Sequence, residues 1–322
     1  MRYIDFHCDT LMMYYHGYEG QSLFDTSSVG RSVDFRRMKE AGAGAQFFAT
    51  FLPPRERMDI SDEEYRANLY EALTAELEKN KDIIALATDY SSYMENLKNG
   101  KMSAFMTFED GRLIDGKMEN LKTYRDMGYC LISLTWNGEN CFGYPNSTDS
   151  ELMNKGLKDF GKEAIEVMNE LGIIIDVSHL NDGGFYDICD ITKKPFVASH
   201  SCARALTPHP RNLTDDMIRK MADKGGFIGL NYNPPFLGKE LTETRSLVSD
   251  MVRHIEHIVD LGGKEVIGLG SDWDGIQGEL EIRDPLDLHK LNDALRARGW
   301  SEDDVELLFH GNAERVIRDI TL

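Results

Sequence analysis

The chain has 322 residues, 41% of them apolar and 28% charged, and a formal net charge of −19. That length suits one α/β barrel, and the composition supplies a sizeable core. So acidic a chain lacks the basic patch that phosphate neutralisation needs, which excludes nucleic acid as a partner and disfavours anionic membranes.

The first residues, MRYIDFHCDT, hold a strand over Tyr3–His7 and lack the charged head and apolar run of a signal peptide. A second strand is expected over Ala45–Phe51, then a surface loop over Pro53–Ser61 and a helix over Asp62–Asn80 with Tyr65, Leu69, Ala72 and Leu73 at helical spacing. Strands follow over Ser103–Glu109 and Cys130–Trp136. The segment Ser150–Leu171 reads as one helix stopped by Gly172. Strands over Ile173–Ser178 and Phe196–His200 precede a helix capped by Thr214 and opened by two aspartates. A strand over Phe227–Tyr232, a helix over Ser246–Leu261 ended by Gly262-Gly263, and a strand over Val266–Ser271 complete the pattern. Most of these strands are continuous apolar runs, as parallel strands covered on both faces require. Eight strands separated by helical or loop material predict a (β/α)8 TIM barrel, residues 1–322 forming a single domain with no internal repeat. The end, ERVIRDITL, has no hydrophobic tail for a lipid anchor, and no apolar run is long enough for a transmembrane helix, so a cytoplasmic chain with no membrane anchor is expected. Cys8, Cys130, Cys141, Cys189 and Cys202 are odd in number and form no CxxC pair, which predicts buried free thiols.

The strand ends carry the chemistry. His7 and Asp9 close the first strand, Glu109 the third, His179 follows the fifth, His200 closes the sixth and Asp272 follows the eighth. In a barrel these points converge on the C-terminal rim. Imidazole and carboxylate suit zinc and related divalent metals, and one glutamate can bridge two ions about 3.5–4 Å apart. Three histidines, one aspartate and a bridging glutamate give three protein bonds per ion and leave room for a shared hydroxide. Each residue alone has a plainer reading: a buried histidine is commonly a hydrogen-bonded core residue, and Glu109 could cap a turn. The joint placement of all five on one rim favours metal binding. His254 and His257, three apart on one helix, lack a third ligand and are expected on a solvated face. His16, His209, His289 and His310 sit in loop-like or surface contexts and receive no role.

The segments FHCDT, TFEDG, IDVSHL, ASHSCARAL, PHPRNLTDD, GLGSDWDG and HGNAERV, in this order from residue 3 to about residue 316, resemble the membrane dipeptidase (renal dipeptidase) family. The 21-residue gap from His179 to His200, followed by Arg211, is the most specific part. The resemblance implies a barrel of the metal-dependent amidohydrolase type and a zinc-dependent dipeptidase, with two divalent ions, most simply Zn²⁺. It assigns one ion to His7, Asp9 and Glu109 and the other to Glu109, His179 and His200. It pairs Arg211 with the free carboxylate of a dipeptide and gives proton transfer to Asp272. It also suggests tolerance of L-Xaa-D-Xaa substrates and a homodimer. In one place the chain departs from the family: mammalian members carry a substrate-contacting histidine in a Leu-Thr-His context, whereas here Leu134-Thr135 precedes Trp136 and Asn137. An indole donates a hydrogen bond but neither accepts one nor becomes cationic. Asn137 is then the neutral donor available beside substrate. Alternatives are a related hydrolase of lactones, cyclic amides or N-acyl amino acids, and a non-catalytic metal-binding relative; the latter would have no need of Asp272.

Overall fold

A computed structural model describes residues 1–12 and 22–322; His16 lies outside the described residues. Among these, eleven strands run in chain order: β1 Tyr3–Cys8, β2 Ala43–Phe51, β3 Ile84–Ala87, β4 Met102–Glu109, β5 Tyr129–Ser133, β6 Ile174–Asp176, β7 Val197–Ser201, β8 Phe227–Leu230, β9 Arg245–Ser246, β10 Ile267–Leu269 and β11 Glu279–Leu280. The order β2-β1-β10-β8-β7-β6-β5-β4 closes on itself through β2 and β4, a parallel eight-stranded TIM barrel. All eight expected strands are present; the first three are slightly longer than expected, and four of the later ones are shorter.

The strand β3 was not expected from the sequence. It pairs Ile84–Ala87 with Met102–Phe105 of β4, while β5 takes Met106–Glu109. The long edge of β4 is thus shared by two neighbours, lower half and upper half. Inside the barrel, Phe6 stacks on Phe47 at 4.2 Å and Phe47 on Phe105 at 4.5 Å between ring centroids. The last helix, Asn312–Thr321, places Ala313, Val316, Ile317 and Ile320 in the same buried cluster and closes this end of the barrel. The remaining core lies between the strands and the outer helices.

The helix expected over Asp62–Asn80 spans Asp62–Lys79, capped by Ser61. Thr214 caps Asp215–Asp223 as expected, its hydroxyl accepting from the Met217 N–H. The single helix expected over Ser150–Leu171 is two, Ser150–Met153 and Asp159–Leu171. The break has a tertiary cause. Leu157 donates its N–H to the Asp187 carboxylate at 2.7 Å, and a side chain at Gly156 would strike that carboxylate. The helix expected over Ser246–Leu261 begins at Val248, because Arg245 and Ser246 pair with Glu279 and Leu280. No helix of the described residues is long and apolar enough to cross a membrane. The five cysteines are free; four are buried and Cys141 is half-buried.

Candidate metal and substrate site

The upper rim of the barrel gathers the expected residues. His7 Nε2 lies 3.5 Å from Asp9 Oδ2 and 3.5 Å from Glu109 Oε2. The other Glu109 oxygen, Oε1, lies 3.0 Å from His179 Nε2 and 3.6 Å from His200 Nε2. Those two nitrogens are 3.1 Å apart, and the His7 and His200 rings stack at 3.8 Å. Asp272 Oδ1 stands 3.8 Å from His7 Nε2. All of these side chains are buried or nearly so.

Local backbone geometry aims them. The pairing of β1 slips register between Asp5 and Cys8, and that of β7 between Ala198 and Ser201, irregularities that re-aim side chains beside sites. His179 and Asp272 sit at φ 68° and 65°, a left-handed conformation that an L-residue adopts at some cost. Gly275 is required by close approach: a Cβ there would collide with Asp9 Oδ2.

The donor set fits metal. His7 Nδ1, His7 Nε2 and Asp9 Oδ1 are buried without a hydrogen-bond partner, which costs stability unless something else satisfies them. Two overlapping groups, His7–Glu109–His200 and His7–Asp9–Asp272, bring their ligand atoms within 4.8 Å of one another. Donor atoms sharing one tetrahedral zinc stand roughly 3.3 Å apart, given bonds of about 2.0 Å, close to the separations seen here.

The charges of the site are mutually dependent. Burial pushes the Asp272 carboxyl up to about 8, with Asp9 and Glu109 adding to the rise and His7 opposing it. Burial also lifts Asp9 to about 6, assisted by Glu109. For His7, burial favours the neutral ring, but Glu109 and Asp9 outweigh it and hold the imidazole above its usual range. His179 and His200 are held well below that range, by burial first and then by Arg211 and His7.

Arg211 closes one side of the site. Its guanidinium is buried, its Nε has no partner, and its other contacts are long: 3.4 Å to Ser201 Oγ and 3.2 Å to the His200 carbonyl. The Arg211 Cζ lies 5.5 Å from the Phe236 ring centroid. Its loop is anchored by Asn212, which donates to the carbonyls of Thr207 at 3.0 Å and Phe236 at 2.9 Å. A cavity of about 190 Å³ is lined by Asp9, Glu109, His179, Arg211 and Asp272, with Phe51, Trp136 and Phe236 as aromatic walls. A second cavity of about 660 Å³ shares Trp136 and Asn137 with it.

Asn137 lines the smaller cavity, as a residue beside substrate would. Its Oδ1 faces His179 Nδ1 at 3.3 Å, which leaves the amide N–H₂ as its donor, while one expectation, for His254, changes. His254 is not on a solvated face. It is fully buried, its Nδ1 accepting from the Ala203 N–H at 3.1 Å and its Nε2 facing the Leu237 carbonyl at 3.1 Å. His257 pairs with Asp215 at 2.8 Å. His209 accepts from the Arg211 N–H at 3.1 Å and so helps shape the loop beside the pocket.

Several residues beneath the site were not singled out from the sequence. Asn231 donates to Asp272 Oδ2 at 2.8 Å. Asn140 donates to Asp110 at 2.7 Å and to the Leu134 carbonyl at 2.8 Å, holding the loop that carries Trp136. Asp5 and Asp176, both fully buried, hold the strand ends together.

The family model for membrane dipeptidase (peptidase family M19) matches residues 1–322. The chain is 31% identical to the dipeptidase C965.12 of Schizosaccharomyces pombe over 265 residues, 78% of this chain and 63% of that one. Among solved structures it resembles the metallopeptidase dipeptidase AC of family M19, with a TM-score of 0.92 at 25% identity over 100% of this chain and 99% of that one. It also resembles a metallopeptidase from Rhodobacter sphaeroides liganded with a phosphinate mimic of the dipeptide L-Ala-D-Ala, with a TM-score of 0.91 at 25% identity over 99% of each chain. With the whole chain matched, this protein belongs to the membrane dipeptidase family and is a metal-dependent hydrolase of dipeptides.

Proposed function

We propose that His7, Asp9, Glu109, His179 and His200 hold two divalent ions, zinc by preference, and that Arg211 grips the free carboxylate of a dipeptide. The observation that carries this reading is Arg211, a buried guanidinium with an unpartnered Nε in the cavity that also holds Glu109, His179 and Asp272. A buried cation without a carboxylate is costly, and a ligand carboxylate would supply the missing charge-assisted bonds. The two oxygens of Glu109 face different ligand sets, which supports two ions rather than one. Three imidazoles with carboxylates suit zinc better than calcium or magnesium.

The ions supply water of lowered pKa and polarisation of the scissile carbonyl. The chain's own residues do the rest. Asp272, held at Oδ2 by Asn231, receives the proton of the attacking water at Oδ1 and delivers it to the leaving amine. Arg211 fixes the C-terminal end of the substrate and so restricts it to short peptides. Phe51, Trp136 and Phe236 exclude water and limit side-chain size. Acceptance of a C-terminal D-residue is part of the reading, supported by the L-Ala-D-Ala mimic bound to the Rhodobacter sphaeroides relative.

The test is a panel of L-Xaa-L-Xaa and L-Xaa-D-Xaa dipeptides and their C-terminal amides, with and without a chelator, alongside elemental analysis. Hydrolysis of both dipeptide series, lost with chelator and poor on the amides, with two zinc ions per chain, is the expected result. Amides cleaved as well as acids would remove the carboxylate clamp, and one ion per chain would remove the bridging role of Glu109.

A further inference from the structure

We infer that Asp176 and Ser199 are positioning residues that hold His200 in a single tautomer, with the lone pair of Nε2 presented to the site. The inference rests on the reading of His200 as a metal ligand. Asp176 is fully buried at the end of β6 and collects four donors. The Ser133 hydroxyl reaches Oδ2 at 2.5 Å and the Ser199 hydroxyl reaches the same oxygen at 2.6 Å. The N–H groups of Ser178 and Ser199 reach Oδ1 at 3.0 and 2.8 Å. Two backbone N–H groups hold Oδ1 and two hydroxyls converge on Oδ2, the surroundings of a carboxylate that accepts from all four.

Ser199 Oγ lies 2.7 Å from His200 Nδ1. A hydroxyl has one proton, and with Asp176 as the carboxylate it goes there. The Ser199 oxygen must therefore accept from His200, which puts the ring proton on Nδ1. A neutral imidazole protonated at Nδ1 carries its lone pair on Nε2. That nitrogen faces His179 Nε2 at 3.1 Å and Glu109 Oε1 at 3.6 Å, at the centre of the donor cluster. The Ser199 contact also orients the ring, and the Ser178 hydroxyl, accepting from the His200 backbone N–H at 3.1 Å, holds the strand that carries it.

The seam between β1 and β10 repeats the arrangement. Asp5 accepts from the N–H of His7, two residues on, at 3.1 Å, as Asp176 does from Ser178. It also takes both the N–H and the hydroxyl of Ser271, at 2.9 and 3.1 Å. Ser199 precedes His200 and Ser271 precedes Asp272. In each case a buried aspartate seizes the serine just before a site residue on the neighbouring strand. Orienting partners of this kind are worth about 10–100-fold in metal affinity.

The experiment uses the full chain. Nitrogen-15 histidine NMR of the metal-free protein should show His200 protonated at Nδ1, and Ser199→Ala should release it to a mixture of tautomers. Chelator competition should show zinc bound about 10–100-fold more weakly by folded Ser199→Ala and Asp176→Asn, non-additively in the double variant. A His200 ring protonated at Nε2 in the parent, or unchanged zinc affinity in Ser199→Ala while His200→Ala loses zinc, would overturn the relay alone. Undiminished zinc in His200→Ala would overturn the ligand reading beneath it. If Asp176→Asn does not fold, the parent spectrum and Ser199→Ala still decide.

Discussion

Glu109 offers one oxygen to the His7 and Asp9 side and the other to the two histidines, so its replacement disturbs both halves of the cluster. Glu109→Gln should lower metal content below that of a single lost ligand such as Asp9→Asn, read by elemental analysis. Arg211→Ala should raise KM for dipeptides by roughly 10²-fold, from the 2–5 kcal/mol lost when one partner of a buried charge pair is removed, and leave metal content unchanged. Asp272→Asn should retain metal and lose about 10²–10⁴-fold in kcat; ordinary turnover would remove Asp272 from proton transfer. The ligand-type residues could be found in the sequence because each stands where an apolar run ends, and barrel geometry brings such ends together. Asp5 and Asp176 could not be found that way. In YIDFH and IIIDVSH they look like any acid at the edge of a strand. Their signal was an aspartate within an apolar run, a charge that burial would leave unsatisfied without several donors.

Between elements, the sequence was least informative where tertiary contacts override local pattern. The apolar stripe of Ser150–Leu171 continues through a break imposed by Asp187, thirty residues away from Leu157. The strand β3 is four residues long and owes its existence to the free lower edge of β4. The loop after β5 carries Trp136, whose ring meets Phe51 edge-on at 4.8 Å and forms part of the wall shared by the cavities of about 190 and 660 Å³. Trp136→Ala should join them. Relative kcat/KM for bulky over small dipeptides should then rise; an unchanged ranking across a size series would remove Trp136 from the determinants of size.

At the level of the whole molecule, the acid limit of stability has one identifiable contributor in His254, which burial lowers to about 3. The unfolded chain takes up that proton near 6.5, the folded chain near 3, so below pH 6.5 folding is progressively opposed, by at most about 1.4 kcal/mol per pH unit. Above pH 6.5 the residue has no effect. His254→Gln, which keeps one acceptor and one donor, should flatten the fall in urea midpoint between pH 7 and 5 relative to the parent. Metal removal should lower Tm as well, because the unpartnered atoms of His7 and Asp9 lose what satisfies them.

The bond from Ser271 to Asp5 joins residues 266 apart in the chain. During synthesis the first strand emerges long before the residue that secures it. Until β10 has left the ribosome, Asp5 has no serine to hold, and Asp9 lacks the bond from its N–H to the Trp273 carbonyl. His7 and Asp9, proposed above as ligands, are therefore held in their final geometry only after the residues around 271 have been made. Chains halted before residue 271 should therefore bind zinc only as loosely as an unstructured histidine–aspartate pair.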